Sequence, residues 1–451
     1  MSRLNIPPAG APVIPIHEPG ALQIFAPSTE LERMVTCALL GERQFYVNAL
    51  DIEERIRTLA AAVEPEKVAT IAVEARLNHG LRHAPLLLLV CLAARPEGRS
   101  HVRDAAARIL RTPRDAMDLL ALYWKGGKIP LPGCLKAAFR DGFARWSDYQ
   151  VAKYATLKNV AVRLRDVAFL SHPKPAPERV ATFTALANDE LRAPGTWETL
   201  LSAPGADKRA VWEALLREKK LGALALVRNL RNMEQVGVEP ALVREAMAAV
   251  KSSDVWPWQA LAAVREAPAY TLELDALMLR AAAGMPRIGG VTGILVDVSG
   301  SMNVTMSDRG TMKRLDAAAG LAAVLREACD VSWIAPFSMD TVLLDNPTPR
   351  GAALAKAIVD SMPHSDTKLG AAVHAVISQV NLDRLIVVTD EQARDQVKFP
   401  DIPTFVINVA STQRGVAWGG QVTRINGWSA GIVRFLAQDI AGLAIPQSED
   451  S

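Results

Sequence analysis

Gly293-Ile294-Leu295-Val296-Asp297-Val298-Ser299-Gly300-Ser301-Met302 is the stretch on which the reading of this chain turns. A short, β-branched apolar run that stops on a carboxylate and two hydroxyls reads as a buried strand delivering polar side chains to its carboxyl end. Outward from it, strands and helices alternate. A helix is expected from about Met312 to Ala328, then strands at Val331–Phe337 and Thr341–Asp345. Helices follow at about Ala352–Ser361 and Leu369–Val380. Arg384–Asp390 and Thr404–Ala410 are continuously apolar, as parallel strands covered on both faces are. A last strand near Thr423–Gly427 leads into a helix from Ala430 to about Ile440. This alternation predicts a doubly wound, Rossmann-like α/β unit over 286–445, followed by an acidic tail at 446–451.

Upstream of Pro286 the grammar differs. From about Ser28 to Met285 apolar residues recur at spacings of three and four, as in Val68, Ile71, Ala72 and Ala75. Pro and Gly punctuate the series, for example at Glu64-Pro65, Thr112-Pro113, Gly126-Gly127, Pro194-Gly195 and Glu239-Pro240. Many short helices in series predict an all-α solenoid of HEAT type over 28–285. Met1–Pro27, rich in Pro and Gly, reads as a surface arm.

A chain of 451 residues exceeds one ordinary core. Its longest apolar run, Leu86–Ala94, falls short of the roughly 20 residues that span a bilayer. The N-terminus lacks the apolar stretch of a secretion signal, so a soluble, cytoplasmic protein is expected. Cys37, Cys91, Cys134 and Cys329 stand far apart, which argues against a zinc site or disulfide framework and for buried free thiols.

Asp297-x-Ser299-x-Ser301 sets one carboxylate and two hydroxyls on one loop at the carboxyl end of a strand, where doubly wound sheets carry their ligand sites. Such hard oxygen donors suit Mg²⁺, Mn²⁺ or Ca²⁺ rather than zinc. Gly300 is expected to relieve the backbone so that both serines point inward. Asp390, ending the fourth strand of this reading, reaches the same rim. Thr367, in Ser365-Asp366-Thr367-Lys368-Leu369-Gly370, opens a helix and offers another hydroxyl. No nucleophile–base pair flanks the set, so it does not read as a hydrolase.

Charge is uneven. Ala93–Pro175 holds 16 Lys and Arg against 7 Asp and Glu, although the whole chain carries 51 against 48. Such a basic block is a candidate polyanion surface. It ends in Lys153, Lys158, Arg163, Arg165, His172 and Lys174. Val160, Leu164, Val167 and Ala168 are expected on one inward helix face, with Arg163 and Arg165 off that face. Pro173 pushes His172 out of helical geometry and stiffens the loop that presents its ring. A flat ring beside a cation suits base stacking and phosphate contact. Arg95, Arg99, Arg103, Lys125 and Lys128 extend the basic surface.

The Asp-x-Ser-Gly-Ser-Met string behind an apolar strand, with Thr367 and Asp390 downstream, resembles the metal-ion-dependent adhesion site (MIDAS) of von Willebrand A domains. The resemblance implies Asp297, Ser299 and Ser301 as direct ligands of one divalent ion, foremost Mg²⁺. It implies Thr367 and Asp390 as direct or water-mediated ligands. Asp366-Thr367-Lys368 departs from the Gly-Thr-Asp of many such domains. Lys368 would lower metal affinity unless Asp366 compensates.

The helical part resembles the TROVE module of Ro-type, bacterial Ro-like proteins. The carrying pieces are the His172-Pro173-Lys174-Pro175 loop, Thr196-Trp197-Glu198, Ala210-Val211-Trp212-Glu213, Ala225–Leu230 and the A domain behind them. The resemblance implies a solenoid closed into a ring by the A domain. It implies a non-catalytic RNA chaperone or quality-control protein with Y-type small structured RNA on its basic outer surface; a monomer is expected. Single-stranded 3′ ends of misfolded RNA would enter the ring hole, and an exoribonuclease is an implied partner. By this resemblance Lys153 and His172 match RNA-contacting positions most closely, with Lys158 approximate. For Arg228 and Asn229 a helix cap or ring-closing contact competes with RNA contact. A rival reading is a metal-dependent protein–protein interaction scaffold using the A-domain site. A third, a metal-dependent nuclease, requires RNA cleavage that Asp297→Ala abolishes.

Overall fold

A computed structural model describes residues 26–37, 49–305, 312–344, 349–409, 422–426 and 432–437. The expected arm, apart from its last two residues, and the acidic tail lie outside them.

Ten helices come first: α1 (Pro27–Cys37), α2 (Ala49–Ala62), α3 (Pro65–Leu77), α4 (His83–Ala94), α5 (Arg99–Ile109), α6 (Pro113–Tyr123), α7 (Gly133–Arg145), α8 (Asp148–Ala155), α9 (Leu164–Ser171) and α10 (Val180–Asn188). Proline opens α3 and α6, where the missing N–H costs nothing and φ is already helical. Each helix packs on the next but one, so the odd-numbered members from α1 to α9 form one layer and the even-numbered members from α2 to α10 the other. This is the stacking expected of a HEAT-like solenoid. α4 lies deep between neighbours, with every residue from Ala84 to Ala93 buried. Each buried leucine there contributes roughly 1.5–3 kcal/mol relative to exposure.

One polar network ties this half together. Arg76 on α3 donates to the Ile109 and Leu81 carbonyls and to Asp115 Oδ2, at 3.1, 3.3 and 3.1 Å. Asp115, on the first turn of α6, also accepts the Thr112 N–H and hydroxyl, both at 2.9 Å. Arg82 closes the cluster at 3.3 Å from Asp115 Oδ1 and 2.6 Å from Asp118.

A second series follows: α11 (Trp197–Leu201), α12 (Lys208–Arg217), α13 (Ala223–Gln235), α14 (Pro240–Ala248), α15 (Pro257–Glu266) and α16 (Thr271–Ala283). Then come β1 (Ile288–Asp297), α17 (Arg314–Ala328), β2 (Cys329–Phe337), α18 (Gly351–Val359), α19 (Leu369–Ile377), β3 (Arg384–Thr389), β4 (Thr404–Asn408), β5 (Val422–Asn426) and α20 (432–437). The five strands form one parallel sheet in the order β2-β1-β3-β4-β5. The chain is thus mostly helical with a parallel α/β sheet in its C-terminal part.

The expected strand at Thr341–Asp345 does not form among the described residues. Thr341 makes one antiparallel bridge to Phe337, and Val342 and Leu344 donate to the Pro336 and Ile334 carbonyls. Pro336 has no N–H to return to Val342, so the pairing there runs one way only. Asp390 therefore follows the third strand rather than a fourth.

The hydrophobic interior is shared out differently from the secondary structure. One cluster runs from Leu31 to Leu186. Another runs from Trp212 through α12–α16 into the sheet and on to Leu436. The junction is α17, whose Ala317-Ala318-Ala319-Gly320 run is buried on all sides and packs on α15, α16, β1 and β2. A Cβ on Gly320 would stand 3.0 Å from Leu261 of α15.

At the far end, α1 packs on β5. Gly80, at φ +65°, meets the Trp256 ring, where an added Cβ would come within 2.8 Å. The Arg434 guanidinium lies 5.9 Å from the same ring, and Trp256 stacks on Trp258 at 5.3 Å. Beside them burial, then the Arg434 charge, pushes His79 down to about 4, so it stays neutral. Cys91 and Cys329 are buried free thiols, pushed up to about 11 by burial; Cys134 is only half-buried, and the Cys37 side chain lies outside the described residues. Among the described residues no helix is long and apolar enough to cross a membrane.

Arg76→Ala is expected to lower stability by about 2–4 kcal/mol, because it leaves Asp115, 1% exposed, short of its nearest counter-charge. Urea unfolding followed by circular dichroism checks this; an unchanged midpoint would remove the network from the account of stability.

Candidate functional site

β1 and β3 are neighbours in register, with Val296 opposite Val388. Asp297 and Asp390 therefore emerge side by side at the carboxyl edge of the sheet, and both are wholly buried. Asp297 Oδ1 accepts the Ser299 N–H at 2.9 Å, and its Oδ2 accepts the Thr389 hydroxyl at 2.6 Å. Ser299 Oγ and Ser301 Oγ lie 3.1 Å apart, and Ser301 bonds to Asp390. Arg314, on the first turn of α17, stands 3.4 Å from Asp390 Oδ2.

A second loop closes over the first. The Gly300 N–H donates to the Ser365 carbonyl at 2.7 Å, and His364 Nδ1 pairs with the Val298 carbonyl at 2.7 Å. Thr367 is carried on that loop and is buried. Gly300 has no left-handed backbone, contrary to expectation: a Cβ there would meet the His364 and Ser365 carbonyls at an ordinary 3.5 Å. Lys368 points its side chain outward, and Asp366 pairs with Arg394 at 3.0 Å instead of turning to the site.

Burial, and then the charge of Asp390, pushes Asp297 up to about 7. Burial also raises Asp390, with Ser301 and Arg314 pulling it back. Two buried carboxylates and three hydroxyls are hard donors facing one another without a full counter-charge. That set fits a divalent cation of the Mg²⁺ class. Thr389 and Arg314 were not visible in sequence. Thr389 reads as an ordinary strand residue, and its partner lies 92 positions away.

The basic residues occupy three consecutive elements. Lys153 lies on α8, 3.8 Å from Glu198. Lys158 is exposed in the connection to α9, next to Asn159 in the left-handed region. Arg163 caps the start of α9, and Arg165 lies in its first turn. They share one oxygen of Asp189, at 3.0 and 3.5 Å. Leu164 and Val167 are buried, Ala168 is partly buried, and Val160, expected on the same face, is also only partly buried because it precedes the helix, which starts at Leu164. His172 ends α9 with φ 51° and ψ 59°, its N–H donating to the Ala168 carbonyl at 2.8 Å. A residue before proline ordinarily takes extended geometry, so the left-handed cap is a departure imposed by the helix end. Ring and Lys174 are both exposed.

The proposed extension of this surface is mostly committed internally. Arg95 donates to the Ala60 and Val63 carbonyls at 2.8 and 2.7 Å, Arg99 to Ala93, Arg103 to Asp141, and Lys125 to Glu53. Lys128 sits over the Trp124 ring. Asn229 is buried and bonds within α13, to the Ala225 carbonyl and to Asn232, so it is structural. Thr196 caps α11, and Trp197 stacks on Trp212 at 5.8 Å, so those pieces are structural too. Sequence reasoning missed Asp189 and Glu198, which partner the cations across a fold boundary. It also missed Phe169, half-exposed on α9.

A stacked-helix body running into a parallel α/β sheet is a helical-repeat architecture joined to an α/β unit, and its helical part carries exposed basic residues. The TROVE domain matches residues 42–188 and 188–267, half of the chain, and the chain belongs to the TROVE family. Family membership implies an RNA-binding, non-catalytic protein. The crystal structure of the Ro (RSR) protein of Deinococcus radiodurans has the same fold, with TM-score 0.64 at 16% identity, over 92% of this chain and 100% of that one. Telomerase protein component 1 of Mus musculus is 24% identical over 261 residues, covering 40% of this chain and 10% of the relative. Its Rattus norvegicus counterpart is 33% identical over 105 residues, covering 22% and 4%. The chain thus spans about a tenth or less of these relatives' length.

In EDTA, folded Asp297 keeps a proton that the unfolded chain releases above about pH 4. Stability should therefore be full below that pH and fall as pH rises towards 7. Asp297→Asn should remove this fall and stabilise the metal-free protein at pH 7.5 by roughly 1–3 kcal/mol. Denaturant titrations at pH 5 and 7.5 test it; a variant less stable than the parent at pH 7.5 contradicts the buried-charge account.

Proposed function

We propose that this protein binds a small structured, Y-like RNA on the surface formed by α8, α9 and the His172–Pro175 loop. The observation carrying this reading is the exposed group of Lys158, Arg163, His172 and Lys174 beside the partly buried Lys153 and Arg165, with Asp189 shared between two of the cations. Backbone charge and shape dominate such recognition, so affinity falls steeply with salt. The left-handed cap and two prolines hold the His172 ring in place before RNA arrives, which lowers the ordering cost of binding.

In the same reading the α/β part is a von Willebrand A domain that closes the helical series into a ring. The contacts of α1 with β5, and of Gly80 and Arg434 with Trp256, support closure. The hole would admit single-stranded 3′ ends of misfolded RNA, in an RNA chaperone or quality-control role. An exoribonuclease is its natural partner, and a monomer in a reducing cytoplasm suits the free thiols. Asp297, Ser299 and Ser301, with Thr367 and Asp390, would hold Mg²⁺, or alternatively Mn²⁺ or Ca²⁺. Bound there, the cation would supply counter-charge to the two carboxylates and a vacant coordination position.

A second reading, a metal-dependent protein-interaction scaffold, is favoured by partly exposed Val304, Met339 and Val342 on segments that follow β1 and β2.

Replacing Lys153, Lys158 and His172 with alanine should weaken stem-loop RNA binding at least about tenfold at moderate salt and flatten the salt dependence. His172→Gly should weaken binding while keeping or raising stability by about 1 kcal/mol, since glycine accepts the left-handed backbone. RNA affinity should survive EDTA; unchanged affinity in the triple variant refutes the site, and binding of a protein partner that is lost in EDTA favours the second reading.

A further inference from the structure

Asp297 and Asp390 stand side by side at the carboxyl edge of the sheet, both wholly buried. The guanidinium that faces them is that of Arg314, the first residue of α17. Its Nη1 lies 3.4 Å from Asp390 Oδ2, longer than the roughly 2.7–2.9 Å of a tight charge-assisted bond. The contact is therefore loose. The side chain is 19% exposed, so it reaches inward from the rim and keeps one side open to water. The other charges of that rim are engaged with different partners. Lys313 Nζ donates to Asn303 at 2.7 Å, Asp316 pairs with Arg265 and accepts the Lys313 N–H at 2.8 Å, and Asp366 pairs with Arg394 at 3.0 Å.

We infer that Arg314 is a resident counter-ion: it stands on Asp390 in the metal-free protein, leaves when a divalent cation binds, and by competing excludes monovalent ones. The inference rests on the metal site proposed above and adds what sets its affinity and selectivity. With both carboxylates ionised, the pair and one guanidinium leave a single negative charge. A divalent cation overcompensates that charge and sets a second positive group on Asp390. Like charges a few ångströms apart in a weakly screened enclosure repel strongly, so the guanidinium gives way towards water. A monovalent cation gains nothing from the same exchange. It brings no more charge than the guanidinium it would replace, and a tethered group holds its place at high effective concentration.

The test titrates the full chain, stripped of metal, with MgCl₂ by isothermal titration calorimetry. Arg314→Gln should bind Mg²⁺ at least about tenfold more tightly than the parent, whereas Arg314→Lys, which keeps the charge, should stay close to it. In about 0.15 M KCl the parent should bind Mg²⁺ as it does in tetramethylammonium chloride of the same strength, and only Arg314→Gln should bind more weakly in KCl. Arg314→Gln should also unfold at lower temperature in EDTA and recover in saturating MgCl₂. Release is read directly in Arg314→Lys: acetic anhydride should acylate the introduced amine faster in MgCl₂ than in EDTA, by peptide mass spectrometry. Equal acylation rates, or Mg²⁺ affinity unchanged in Arg314→Gln while Asp297→Ala abolishes it, would overturn the counter-ion and leave the metal site standing. Absence of Mg²⁺ binding in both the parent and Arg314→Gln removes the metal site and the inference with it.

Discussion

A series of stacked helix pairs ends in two apolar faces that no member of the series can cover. The rest of this structure depends on what packs against those ends. At one end α17 continues the odd layer, with α13, α15 and α17 packing in turn. Its small residues let it contact both the sheet and α15. At the other end α1 finds β5, and the Gly80 turn finds Trp256 and Arg434. Both sets of contacts bring apolar or aromatic residues together, so neither depends strongly on salt. The sheet is thereby covered on both faces, which is what continuously apolar parallel strands require.

Two sites of opposite electrostatic character are built on this frame. At the sheet edge, Asp297 and Asp390 are enclosed with hydroxyl partners and one guanidinium, and burial makes their charge costly. On α8 and α9 the cations stand in solvent, where their charge costs little and acts at a distance. The first arrangement is of a kind that a small, hard cation neutralises, and the second of a kind that a polyanion neutralises. Their chemistries do not compete.

Much of this was legible in the sequence, for a local reason. The apolar run into Asp297, the Pro-punctuated helices and the Leu164 and Val167 face are patterns within a few residues, and they survive folding intact. The readings that fail depend on partners outside the local pattern. Thr341–Asp345 looks like a strand until Pro336 removes the donor opposite it. Arg95 looks like surface charge until α2 presents its carbonyls. Asp189 and Glu198 carry no motif, yet they set the charge around Arg163, Arg165 and Lys153. Gly300 suggested a special backbone where the structure needs only a slim residue beside a crossing loop.

α17 has one further property. Its first residue, Arg314, reaches Asp390 at the sheet edge, while its body is wedged between the sheet and α15 and α16. A rod packed to crystal density over that length slides or tilts as a unit, not piecemeal. It is therefore a strut: a force applied where Arg314 meets the carboxylate is transmitted to the helical stack, with no loop between them to absorb it.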